Sequence, residues 1–97
     1  MAKYVELINW TDQGIRNAKD SPQRVEQART AFAAMGVTIE QIYWTVGRHD
    51  LVAVIDAPDD ATLTAALLRL AGSGNVRTET LRAFTADEMG PVLQQLG

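Results

Sequence analysis

Tyr43-Trp44-Thr45-Val46-Gly47-Arg48-His49-Asp50-Leu51-Val52-Ala53-Val54-Ile55-Asp56-Ala57-Pro58-Asp59-Asp60 reads as strand, tight turn, strand and helix start. Gly47-Arg48-His49-Asp50 supplies the turn chemistry. Leu51 to Ile55 is a short continuous apolar run, the pattern of a central strand covered on both sides. Pro58-Asp59-Asp60 then punctuates the chain and provides helix caps. Working outward, Val37 to Val46 is the strand entering the turn. Upstream of it, Ser21-Pro22 marks a helix start with a capping hydroxyl, and Val25, Ala28, Phe32 and Met35 recur at helical spacing up to a terminating Gly36. Downstream, Leu63, Ala66, Leu67 and Leu70 make a second stripe, closed by Gly72-Ser73-Gly74.

Two further strands flank these elements. Lys3 to Trp10 alternates, with Tyr4, Ile8 and Trp10 on one face and Val5 and Leu7 on the other. Asn75 to Phe84 alternates in the same way: Arg77 and Glu79 face one side, Thr78, Thr80 and Arg82 the other. Thr11-Asp12-Gln13-Gly14 forms a turn or first helical turn, with Thr11 or Asp12 as cap. Thr85-Ala86-Asp87-Glu88 has the capping-box pattern, and Met89, Val92, Leu93 and Leu96 form a short C-terminal stripe. Pro91 lacks an N–H donor and restricts Gly90, so a helical break is expected there.

The order strand-helix-strand-strand-helix-strand is the split βαβ arrangement. The expected fold is α+β, ferredoxin-like: one domain over residues 1–97, an antiparallel four-stranded sheet, both main helices on one face and a short helical tail. The other sheet face has apolar residues and nothing from its own chain to cover it, so a homo-oligomer is expected, sheets face to face around a partly enclosed space, as in dimeric α/β barrels.

Bulk properties narrow the function classes. A 97-residue chain with a net charge of -3 has no electrostatic reason to hold nucleic acid or an anionic membrane. It contains no cysteine, which removes disulfides, thiol catalysis and thiolate metal sites. Met1-Ala2-Lys3-Tyr4-Val5-Glu6 has no apolar run of signal-peptide length, and no stretch approaches the ~20 apolar residues of a membrane span. A cytoplasmic protein with no cofactor, no metal, no nucleic-acid partner and no membrane partner is the resulting expectation.

Three groups of residues carry what chemistry there is. The first is the turn, Arg48, His49 and Asp50. His49 is the only histidine; it serves either as a partly solvated turn residue or as a ligand contact, while Asp50 suits backbone bonding. Adjacent strand residues point apart, so a His–Asp catalytic pair is not implied. A zinc site needs three or four ligands, which the sequence does not supply around His49. The second is Arg77 and Glu79, either a cross-strand ion-pairing ladder or an Arg–Glu pair lining the enclosed space and able to bind a carboxylate. The third is the first strand–helix junction, where Trp10 and Thr11, with Trp44, offer apolar walls and free donors, or simply caps and packing.

Ile42-Tyr43-Trp44-Thr45-Val46-Gly47-Arg48-His49-Asp50-Leu51-Val52-Ala53 resembles the signature of the GYD domain family. Asn9-Trp10-Thr11-Asp12-Gln13-Gly14-Ile15 and Gly74-Asn75-Val76-Arg77-Thr78-Glu79-Thr80-Leu81-Arg82-Ala83-Phe84 fit the same family, so the resemblance spans nearly the whole chain. Gly47 and Asp50 match its Gly-x-Tyr-Asp motif; His49 stands where the tyrosine is usual. The resemblance implies a ferredoxin-like fold and leaves the function open. Three functions follow from the reading: an oligomeric small-molecule-binding or regulatory protein, a cofactor-independent enzyme of monooxygenase or isomerase type with His49 or Glu79 as acid or base, or a structural subunit.

Overall fold

Burial alternates without a break along the first strand: Tyr4, Glu6 and Ile8 are buried and the residues between them are not. This period of two lays down a sheet with one inward face. The computed structural model describes residues 1–97 as β1 (Ala2–Trp10), α1 (Asp12–Arg16), α2 (Ser21–Ala34), β2 (Thr38–Trp44), β3 (Leu51–Ala57), α3 (Asp60–Ala71), β4 (Val76–Ala83) and α4 (Ala86–Gln94), with a 3-10 turn at Ala18–Asp20 leading into α2. The sheet is antiparallel with strand order β2-β3-β1-β4, the order of the split βαβ unit.

The helices α2 and α3 cover the inward face. Val25 and Phe32 of α2 and Leu63 and Ala66 of α3 pack on Tyr4, Ile8, Leu51, Ala53 and Ile55. The β2 edge joins this core through a bulge: the register shifts between Ile39 and Gln41, leaving Glu40 as the extra residue. The shift is what lets Ile39 and Ile42, three apart in sequence, both point inward, opposite Ile55 and Ala53. Glu40 then pairs with Lys3 Nζ at 2.7 Å, and Lys3 also reaches Asp56 at 3.0 Å.

One charged side chain lies inside this layer. Glu6 is 0 % exposed, between Ala53 and Thr80 on the inward face. Its Oε1 accepts a hydrogen bond from Thr80 Oγ1 at 2.8 Å, and its Oε2 has no partner. Burial pushes the Glu6 carboxyl up to about 7, against the opposing influence of the Thr80 bond. Further along the same face the Tyr4 hydroxyl donates to Asp60, a bond that, with burial, raises the phenol above its ordinary range.

The opposite face carries Val5, Leu7, Val52 and Val54, all half-buried, with Tyr43 and Leu81 more exposed. No element of the chain lies over it; the apolar run in β3 is enclosed on one side only. Arg82 lies over the Phe84 ring at 4.4 Å, leaving Phe84 half-exposed beside α4. In α4, Val92, Leu93 and Leu96 just beyond it are exposed.

Three local expectations need correction. Ser21 does not cap α2: Asp20 holds the N-cap position without a side-chain bond, and Ser21 is already helical. Its hydroxyl instead accepts from Trp44 Nε1 at 2.9 Å, tying β2 to α2. Ser21→Ala leaves that indole N–H without its partner and should cost about 1 kcal/mol, readable in urea unfolding followed by tryptophan fluorescence. The connection between β2 and β3 is longer than a tight turn at Gly47–Asp50. It runs over 45–50, with Gly47 at φ +137°. Finally, α4 continues through Pro91. Gly90 has no Cβ to meet the proline ring, its surroundings are open, and on an exposed helix water satisfies the carbonyl that Pro91 cannot bond.

Candidate functional site

The end of the sheet where β1 finishes gathers most of the residues nominated from sequence. The Asp50 N–H donates to the Ile8 carbonyl at 2.9 Å, and Asp50 Oδ2 accepts the Trp10 N–H at 2.9 Å. The Thr45 N–H closes the loop on the Asp50 carbonyl at 2.9 Å, and the Thr45 hydroxyl donates to the His49 carbonyl at 2.6 Å. Asp50 is therefore a staple between loop and β1. Its carboxylate is used on the backbone, as the turn chemistry suggested.

Asn9 organises the rest. Its Nδ2 donates to the Arg48 carbonyl at 2.7 Å, so its Oδ1 is the atom facing His49 Nδ1 at 2.8 Å. An amide oxygen only accepts, which places a proton on His49 Nδ1 and leaves Nε2 without a partner. Asn9 pairs with Arg77 across the β1–β4 ladder, so the two share the open face, and Glu79 lies on the same face opposite Leu7. Arg77 and Glu79 form no ion pair with each other or across the strands; both are exposed. Asn9, His49, Arg77 and Glu79 thus give the apolar open face a polar end, with donors from Arg77 and a free ring nitrogen at His49.

Trp10 and Trp44 do not join that group. Trp10 lies opposite Val76 and Trp44 opposite Leu51, both on the helix side of the sheet. The nominated residues are therefore divided by the sheet: Arg77 and Glu79 on one side, the two indoles on the other, with Arg48 exposed in the loop. Thr11 is a cap. Its Oγ1 accepts from the Gly14 N–H at 3.1 Å and donates to the Gly74 carbonyl at 2.5 Å, while its N–H bonds the Asn75 carbonyl at 3.0 Å. Gln13 adds bonds to the Ser73 carbonyl and Asn75 Oδ1 at 3.1 and 2.9 Å. These bonds clasp α1 onto the start of β4, and Gly14 is buried in the clasp. No three His, Cys, Asp or Glu side chains converge as potential metal ligands, and no helix is long and apolar enough to cross a membrane.

The sequence reading missed Asn9 as the partner of His49, and it missed Glu6. Both had a parity signal. Asn9 alternates with Val5 and Leu7, and Glu6 with Tyr4, Ile8 and Trp10, so each one's face was readable.

The chain is similar to known proteins in sequence and in fold. The chain is 31% identical over 90 residues to a protein of Thermus thermophilus named glutamine synthetase and cystathionine beta-lyase binding protein, covering 92% of this chain and 95% of the relative. A crystal structure of a Thermus thermophilus protein superposes with a TM-score of 0.56 at 28% identity, over 89% of this chain and 96% of that one. A feast or famine regulatory protein from M. tuberculosis, solved with L-methionine, shares the fold at a TM-score of 0.64 and 22% identity, over 90% of this chain and 54% of that one. The GYD domain description matches residues 4–93. With its Gly47 and Asp50 motif positions in the loop and the split βαβ sheet around them, the chain belongs to the GYD domain family.

Proposed function

We propose that this protein is an oligomeric small-molecule-binding or regulatory protein whose copies pair through the open sheet face. The observation that carries this reading is the apolar patch of Val5, Leu7, Val52 and Val54, uncovered by any element of its own chain. Apolar surface of this kind on a small domain favours a partner, and a symmetric second copy is the commonest one. Pairing would enclose a space with apolar walls, and Asn9, His49, Arg77 and Glu79 would supply its few polar contacts, the usual make-up of a ligand site. The relative's name supports a regulatory role: a protein called a binding protein for two enzymes acts through association. On this reading an enzyme is a candidate partner here as well.

The test is sedimentation velocity on wild type and Val54→Arg, followed by native mass spectrometry. Wild type is expected to sediment as a multimer and the variant, with a charge at the centre of the patch, as a folded monomer. A wild type that remains monomeric at all concentrations sinks the proposal. In the mass spectrum, a defined extra mass on the multimer that disappears in Arg77→Met places a ligand at the polar end.

A further inference from the structure

Between α2, α3 and the inward face of the sheet lies a cavity of about 290 Å³. Its walls are mainly apolar, with Ile8, Val25, Phe32, Leu51, Ile55 and Leu70 among them, and Glu6 is its carboxylate. Gln27, Arg69 and Ser73 also border it and are solvent-exposed, so they mark its mouth. The space lies on the other side of the sheet from the face proposed to pair, and the inference below stands whether or not that face pairs.

Two observations meet here. A buried polar atom is ordinarily hydrogen-bonded, and leaving one unpaired is unfavourable. Glu6 Oε2 is fully buried, without a partner, on a side chain that lines an apolar hollow. No protein donor bonds this oxygen. Thr80 serves Oε1. Arg24, which lines the cavity from α2, donates to the Asn17 and Gly14 carbonyls at 2.7 and 3.2 Å. Arg69 on α3 is exposed at the mouth. On the sheet, Ala53 of β3 offers no polar side chain, and the next group along β1, Tyr4, is bonded to Asp60 with Arg82 beyond it.

We propose that this cavity is a binding site for a small apolar primary amine, with the ammonium on Glu6 Oε2 and the hydrocarbon body between α2 and α3. An ammonium supplies the missing donor and the charge that balances an ionised carboxylate; an alcohol supplies only the donor. The size suits one compact body, at the low end of ligand cavities. Because burial lifts the Glu6 carboxyl to about 7, amine binding below that pH has to draw off its proton.

Phenethylamine is the probe, with 2-phenylethanol and phenylacetate as controls of matched shape, measured by calorimetry and by the methyl shifts of Ala53 and Ala66. The amine should bind best, and its affinity should fall about tenfold from about pH 8 to about pH 6, where Glu6 becomes protonated. Glu6→Gln should weaken the amine about tenfold or more and leave the alcohol nearly unchanged. Ala28→Phe, which fills the hollow from α2 and keeps Glu6, should abolish both. If Glu6→Gln fails to fold, the pH profile and Ala28→Phe carry the decision. No saturable amine binding, equal affinity for amine and alcohol, or an affinity indifferent to pH would each overturn the site.

Discussion

Glu6→Met should make the protein more stable above neutral pH, by about 3 kcal/mol. The gain comes from removing a charge that the fold buries with one oxygen unpaired. Its sign follows from the linkage between protonation and folding. The folded carboxyl, lifted from an ordinary 4.5 to about 7, holds its proton more tightly than the unfolded one. Stability is therefore full below about 4.5, falls as pH rises through the interval to about 7, and levels off above it, where both states are ionised. In Glu6→Met that slope should vanish, leaving urea midpoints nearly flat across the interval, and methionine fills the same volume without a polar atom. Urea titrations of both proteins at a series of pH values check this. A wild type whose stability is flat through the interval would show that Glu6 is solvated in solution, and one whose stability rises would show that it is paired.

Gly14→Ala should be the most damaging single methyl addition in the chain. A Cβ at Gly14 would sit 2.0 Å from the Asn75 carbonyl oxygen, a backbone atom that cannot rotate away. The same carbonyl accepts the Thr11 N–H, and Asn75 is held again by Gln13. Accommodating the methyl means prising β4 off the first strand–helix junction and breaking these bonds together. A loss of about 3 kcal/mol is expected, at the upper end of overpacking effects. Thermal unfolding of Gly14→Ala beside Gly90→Ala makes the comparison clean, since Gly90 has open space around it. Similar melting temperatures for the two would contradict the close approach.

The strands and the two long helices were legible because their signals are local. Alternation along Lys3 to Trp10, the stripe from Val25 to Met35 and the turn residues around Gly47 each state their element without reference to the rest of the chain. Thr11 and the Thr85–Glu88 capping box were legible for the same reason, and both bond as their spacing implies. What the sequence withheld depends on distant partners. Ser21 looks like a cap until Trp44 arrives from β2 to use its hydroxyl. The bulge at Glu40 has no local marker; it follows from having to turn both Ile39 and Ile42 inward. The site was half legible. Asp50 as a backbone binder follows from turn chemistry. The sorting of Trp10 and Trp44 away from Arg77 and Glu79 needed the strand order, which puts β4 beside β1 and β2 beyond β3.

The bulge in β2 has a consequence at the rim of the sheet. An antiparallel sheet left open at both sides offers two rows of unpaired backbone groups, each able to recruit a neighbour and grow a filament. Here one rim is broken by the bulge and by the Lys3, Glu40 and Asp56 charges beside it. The other carries Arg77, Glu79 and Arg82 along β4. Both rims therefore resist lengthening. Growth of a filament through added strands is thereby disfavoured at either side of the sheet.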